Sequence, residues 1–320
     1  MSPLQRNTVL VAGSANLDFV VRAAHVPAPG ETVLGRDFQT FPGGKGANQA
    51  VASARAGGTP TRMLLALGND AYAAPIEDSL RDAGVALQIV RAAQPTGTAF
   101  ICVADNAENA ITVAPGANHA LLPSHLPVLD DVSCLLLQLE TPLPTVTAFA
   151  QRAHAAGARV VLNAAPAQTL TRTLLDVVDL LIVNEGELAA IAGVHDDIGG
   201  ALARLDVPGV IVTLGARGAC ARVNGRFVLQ PGFAVTPIDT TAAGDTFCGT
   251  LVAALAPGLD FPTALRRACA AAALACTRLG AQSSIPTRAE VDAFLLAQPA
   301  SGPAAQRDLA ALCGVPVAEQ

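Results

Sequence analysis

Short, mainly apolar β-rich runs alternate with segments of helical period along most of this chain, and that rhythm restricts the fold more than any other feature. The runs are TVLVAG from Thr8, TRMLLAL from Thr61, SCLLLQL from Ser133, RVVLNA from Arg159, VDLLIVN from Val178 and GVIVTLG from Gly209. Segments such as Lys45 to Ala56, Thr145 to Ala156 and Glu185 to Ala192 carry helical spacing between them. A strand that is apolar on both faces must be covered on both. The alternation therefore predicts an α/β fold with a mostly parallel sheet between two helical layers.

Two stretches break the rhythm. Leu17 to Phe41 and Gly97 to Pro115 alternate polar with apolar residues around turn residues and lack a helix. They read as antiparallel strands of a small separate sheet, a β lid over the C-terminal edge of the main one. The expected organisation is a core of residues 1–16, 46–96 and 116–298, a lid of residues 17–45 and 97–115, and a Pro-, Ala- and Gly-rich tail, 299–320, loosely held after the last amphipathic helix.

Composition removes several classes of function. A hydrophobic share of 51% gives a large core, while a formal charge of −6 without a basic run argues against nucleic acid as a partner. No apolar stretch approaches the roughly 20 residues of a bilayer crossing, and the N-terminus lacks a secretory cleavage pattern, so no membrane partner and a cytoplasmic location are expected. Seven cysteines at scattered spacings, with no CxxC pair, predict neither disulfides nor a zinc site. His25, His119, His125, His154 and His195 show no paired spacing and are expected at the surface or in loops.

Open α/β sheets bind ligands beyond the carboxyl ends of their strands. Asn16 and Asp18, Glu140, Asn163, Asn184 and Glu187, and Thr213 with Gly215 all fall at or just past predicted strand ends. Singly, such residues serve equally well as turn formers or helix caps. The strongest segment is DTTAAGDTFCG from Asp239, which enters an Ala-rich helix. Its small residues should leave the amides of Ala242, Ala243, Gly244 and Asp245 open at a helix start, an anion cradle with a carboxylate beside it. A plain helix cap by Asp245 or Thr246 is the competing reading. In PGGKGANQA from Pro42, glycines permit close approach, and Lys45 and Asn48 supply donors suited to a polyhydroxylated ligand.

PGETVLG near Glu31, GGKGANQAVA, PTGTA at Pro95, GAN at Gly116, QLE at Gln138, NEGE at Asn184, TLGARG at Thr213 and DTTAAGDTF, in that order, resemble the PfkB family of carbohydrate kinases, closest to its ribose-phosphorylating members. The resemblance runs from about Val9 to Phe294. It implies the ribokinase-like three-layer α/β/α fold and transfer of the ATP γ-phosphoryl group to the 5-hydroxyl of D-ribose. Asp245 would be the general base, with Ala242, Ala243 and Gly244 in the anion hole. Asn16, Asp18, Gly44, Lys45, Asn48 and Glu140 would hold the sugar, and Asn184, Thr213, Gly215, Gly218, Gly244 and Cys269 the nucleotide. Glu187 would act on Mg²⁺ through water. Asp239 and Thr241, with Cys276, Leu279, Gly280 and Ser284, would hold K⁺ or another monovalent cation. A homodimer through the lid is also implied. Cys248, Asn163 and Cys269 depart from the family's usual residues. Related kinases of nucleosides, deoxyribose or keto sugar acids, and a non-catalytic sugar or nucleotide sensor, are the alternatives.

Overall fold

The computed structural model describes residues 6–106, 108–194, 197–299 and 302–316. The first half runs β1 (Thr8–Ala12), β2 (Asn16–Ala23), β3 (Asp37–Gly43), α1 (Lys45–Arg55), β4 (Thr61–Leu67), α2 (Ala73–Asp82), β5 (Ala86–Arg91), β6 (Gly97–Ala104) and β7 (Asn109–Ala114). It continues with β8 (Val132–Leu137), α3 (Leu143–Ala155), β9 (Arg159–Asn163), α4 (Arg172–Leu175), β10 (Leu180–Asn184), α5 (Glu185–Ala192), α6 (Ile198–Arg204) and β11 (Gly209–Thr213). The chain then makes β12 (Gly218–Val223), β13 (Arg226–Pro231), α7 (Ala243–Leu255), α8 (Phe261–Ala275), α9 (Arg288–Ala297) and α10 (Pro303–Cys313).

The main sheet has the order β13-β12-β11-β10-β9-β8-β1-β4-β5. It is parallel from β11 to β5, with the antiparallel pair β12 and β13 at one edge. Side chains alternate between two buried layers. Val9 and Val11 join one with α1, α2, α7, α8 and α9, while Leu10 and Ala12 join the other with α3, α4, α5, α6 and α10. Burial on both faces is why these strands read as unbroken apolar runs.

The second sheet has the order β3-β2-β6-β7. Its outer pairs are antiparallel, as expected, but the central pair β2 and β6 is parallel, from Asn16 beside Gly97 to Ala23 beside Ala104. This corrects the all-antiparallel expectation. β2 continues from β1 and β6 from β5, so both leave the same edge of the parallel sheet in the same sense and meet side by side.

The expectation of a loose tail is also corrected. Residues 303–313 form α10, entered through Gly302 and Pro303 and closed by Gly314 at φ 63°. Leu309, Ala310 and Cys313 recur at helical spacing and bury themselves in the core layer that holds Cys220. Of the histidines, His25, His119 and His154 are exposed and His125 is half-buried, while His195 lies outside the described residues. Among the described residues no helix is long and apolar enough to cross a membrane.

Candidate functional site

The first turn of α7 leaves backbone amides without a partner, one fewer than the sequence suggested. Ala242 takes the left-handed conformation at φ 57° and caps the helix without any side-chain bond. Intrahelical bonding begins with Thr246 N–H on the Ala242 carbonyl at 2.8 Å, so the preceding amides have no partner within the helix. Ala243 N–H instead donates to the Thr240 carbonyl at 3.2 Å, which removes it from the open set. A Cβ built on Gly244 would meet nothing within 4 Å, leaving clear space above the turn.

Asp245 does not cap this helix. Its carboxylate turns to α1 and accepts from Asn48 Nδ2 at 3.0 Å and Gln49 Nε2 at 2.9 Å, so both oxygens are engaged and buried. Thr246 Oγ1 donates to the Ala242 carbonyl at 2.9 Å, which leaves the open amides of the turn untouched.

The glycines of GGKG act mainly through proximity. Gly44, at φ 89°, lies so near the Ala15–Asn16 backbone that a Cβ would stand 2.8 Å from it, and a Cβ on Gly43 would overlap the Asp18 carboxylate. α1 therefore starts beside the end of β1. Glu140 accepts there from Ser14 Oγ at 2.5 Å and from Lys45 N–H at 3.0 Å. Asn118 Nδ2 donates to Asn16 Oδ1 at 2.8 Å, and Asn118 Oδ1 accepts from Ala15 N–H at 2.9 Å. Burial, then the charges of Glu140 and Asp245, push the Asp18 carboxyl from 3.8 up to about 7. The charge of Asp245, with lesser help from Glu140 and Glu187, holds the Lys45 ammonium above its ordinary range despite burial.

Two cavities adjoin this turn. One, of about 160 Å³, is lined by Lys45, Asn163, Asn184, Glu187, Asp245 and Cys248 together with the turn at Ala242–Gly244. The other, of about 470 Å³, has Thr213, Gly215 and Gly218 at one wall and Phe233, Cys269 and Cys276 at another. Thr213, Thr240, Ala243 and Gly244 border both. Asn184 and Glu187 form a reciprocal capping box at α5, each accepting from the other's N–H at 2.8 Å. The helix-cap reading of that pair thus holds alongside its place in the cavity wall. Burial pushes the Glu187 carboxyl up. Asp239 accepts from Thr241 N–H and Gly280 N–H at 2.9 Å each, and Ile238 N–H donates to the Cys276 carbonyl at 2.7 Å, drawing the loops at 239–241 and 276–284 together. Leu279 is exposed, and Ser284 Oγ donates to the Ala281 carbonyl at 2.8 Å. Among the described residues no group of three or more His, Cys, Asp or Glu side chains could hold a metal by itself.

Residues 6–288 match the pfkB family of carbohydrate kinases. This chain belongs to that family. A ribokinase of Haemophilus influenzae is 41% identical over 305 residues, spanning 91% of this chain and 99% of its own. The crystal structure of ribokinase from Thermotoga maritima superposes with a TM-score of 0.86 at 38% identity, covering 90% of this chain and 99% of its own. Ribokinase of Arabidopsis thaliana, solved with ribose and ATP, superposes with a TM-score of 0.82 at 32% identity, covering 92% and 99%.

Sequence reading of this pfkB family member missed three participants. Ser14 supports Glu140, Asn118 orients Asn16, and Gln49 holds Asp245 and also donates to Asn163 Oδ1 at 3.0 Å. Gln49 and Asn118 lie inside the quoted segments GGKGANQAVA and GAN, but nothing in those letters gave either a role of its own.

Proposed function

We propose that this protein transfers the γ-phosphoryl group of ATP to the 5-hydroxyl of D-ribose. The observation that carries the reading is the position of Asp245. A buried carboxylate stands beside open amides where a small polar cavity meets a larger cleft.

ATP would lie in the 470 Å³ cleft, its base against Phe233 and Cys269 and its phosphates running past Thr213, Gly215 and Gly218 towards Gly244. Ribose would lie under the second sheet among Asn16, Asp18, Gly44, Lys45, Asn48 and Glu140. Asp18 and Glu140 accept from sugar hydroxyls, and Lys45 and Asn48 donate to them. Asp245 accepts the proton of the 5-hydroxyl as its oxygen bonds to the γ-phosphorus and the bond to the bridging oxygen of ADP breaks. The amides of Ala242, Gly244 and Asp245 and the Lys45 ammonium offset charge on the equatorial oxygens, fixed in place before the reaction.

The donor set suits Mg²⁺ bound through water. Glu187 spends one carboxylate oxygen on its capping bond and keeps the other, and both Glu187 and Asn184 stand in the cavity wall. Bound there with the nucleotide, Mg²⁺ would neutralise phosphate charge. Asp239 and the Thr241 carbonyl, with Leu279, Gly280 and Ser284 on the adjoining loop, would give the oxygen-rich setting of a monovalent cation such as K⁺, while the Cys276 carbonyl is engaged by the N–H groups of Ile238 at 2.7 Å and Asp239 at 3.2 Å. Asp239 is held below its ordinary range where burial is outweighed by bonds from Thr241 and Gly280, so it supplies a negative charge there.

The second sheet carries exposed apolar residues on both faces, Phe38 and Phe100 on one and Ile111 and Val113 on the other. Packing of two such lids in a homodimer would cover one of these faces.

The test is an ADP-release assay with Mg²⁺ and K⁺ across ribose, deoxyribose, other pentoses and nucleosides. Ribose should give the highest kcat/KM. Preference for a nucleoside or deoxyribose would overturn the substrate assignment, and ribose binding without ADP formation would point to a sensor.

A further inference from the structure

Gln49 and Gln138 are wholly buried and line neither cavity. They are nevertheless joined to the carboxylate at the centre of the site. Gln138, just past β8, donates through Nε2 to Gln49 Oε1 at 2.6 Å. Gln49 in turn shares its own Nε2 between Asp245 Oδ1 at 2.9 Å and Asn163 Oδ1 at 3.0 Å. Asn163 is oriented by its Nδ2 donating to the Ile182 carbonyl at 3.2 Å, which leaves its oxygen facing Gln49.

A carboxamide has a donor end and an acceptor end of nearly the same shape, so packing alone does not decide which end faces a neighbour. Turned over, Gln49 would present a carbonyl oxygen to the Asp245 carboxylate, and the two would repel. The bond from Gln138 fixes Gln49 Oε1 on the far side, and Asn163 rewards the same orientation. Gln138 Oε1 has no hydrogen-bond partner among the described residues and sits where a Cβ on Gly13 would overlap it. A buried carbonyl without a partner is unfavourable, and an aliphatic side chain would fill the space without that cost. The amide at this position is explained by what its donor does.

We propose that Gln138 is a positioning residue for the reaction, acting through Gln49. It sets the donor end of Gln49 on Asp245 Oδ1, and with Asn48 on Oδ2 this fixes the rotation of the carboxylate plane that must receive the hydroxyl proton. The proposal rests on Asp245 serving as the base.

The test is a double-mutant cycle on the full-length protein with Gln138→Met and Gln49→Met, reading kcat and KM for ribose and ATP separately. Gln138→Met should lower kcat about tenfold with both KM values within about threefold of wild type and an unchanged circular dichroism spectrum. On the Gln49→Met background the same change should cost nothing further. An equal loss on both backgrounds, or a rise in KM with kcat intact, would overturn the proposal. If Gln138→Met does not fold, Gln138→Leu also removes the amide donor without burying a charge and should show the same pattern. A measurement without substrate separates this inference from the kinase reading. In wild type the Gln49 carboxamide proton donated to Asp245 should resonate downfield and exchange slowly with solvent, and in the Gln138→Met variant its shift should move towards that of a free carboxamide and its exchange should quicken. Unchanged resonances would refute the positioning role whatever the substrate proves to be.

Discussion

Gly249 on α7 lies against the main chain of Gln49 on α1 with no room for a side chain. A Cβ there would overlap the Gln49 carbonyl oxygen and come within 2.6 Å of the Ala52 Cβ. The missing side chain lets the two helices close up, and only at that separation do Asn48 and Gln49 reach Asp245 one turn earlier on α7. Gly249→Ala should therefore destabilise the fold by about 1–3 kcal/mol and also lower kcat, because the overlap falls on backbone that cannot rotate away. Denaturant unfolding with parallel kinetics checks this, and wild-type values for both would show that α1 shifts freely.

Asp18 carries a pH dependence of the less common sign. Its carboxyl is raised from 3.8 to about 7 in the folded protein, so between those values the unfolded chain binds fewer protons and the ionised side chain costs stability. The cost begins above about pH 4 and is complete above about pH 7. Asp18→Asn should stabilise the ligand-free protein by about 1–3 kcal/mol at pH 8, less as pH falls towards 4. Ribose hydroxyls donate to the ionised form, so ribose affinity should rise as pH increases through 7 in wild type and lose that dependence in the variant. Calorimetric titration from pH 6 to 8 measures it.

Leu309 anchors α10 to the core layer at 4% exposure. Leu309→Ala should cost about 2–4 kcal/mol while leaving the KM for ribose unchanged, since the helix packs on the side of the sheet away from α1 and α7. Thermal unfolding gives the first quantity and steady-state kinetics the second.

If two lids pack together through the face bearing Ile111 and Val113, Ile111→Asp should convert a dimer to a monomer at micromolar concentration by light scattering, with circular dichroism unchanged. A wild-type monomer under the same conditions would contradict the lid-to-lid assembly.

The main sheet was legible because burial on both faces leaves unbroken apolar runs such as LLIV in β10, which need no knowledge of partners. The parallel pairing of β2 with β6 was not, since alternation along a strand says which residues share a face and nothing of the neighbour's direction. α10 was masked by the Pro, Ala and Gly around Leu309 and Cys313, whose helical spacing is short. At the site, AAGD announced itself through residues too small to cover their amides. The loss of the Ala243 amide to Thr240 depends on a turn geometry that the letters do not specify. Gln49 could not be told from a surface glutamine until Gly249 placed α7 against its face of α1.

The most direct measurement of the central claim is phosphorus NMR of the product formed from ATP and D-ribose by wild type and by Asp245→Asn. Wild type should give ribose 5-phosphate and ADP in equal amounts. The variant should fold, bind ATP and form product about a thousandfold more slowly, because an amide cannot take the hydroxyl proton. Product formed by the variant at near the wild-type rate would contradict Asp245 as the base, and no sugar phosphate from wild type would contradict the function itself.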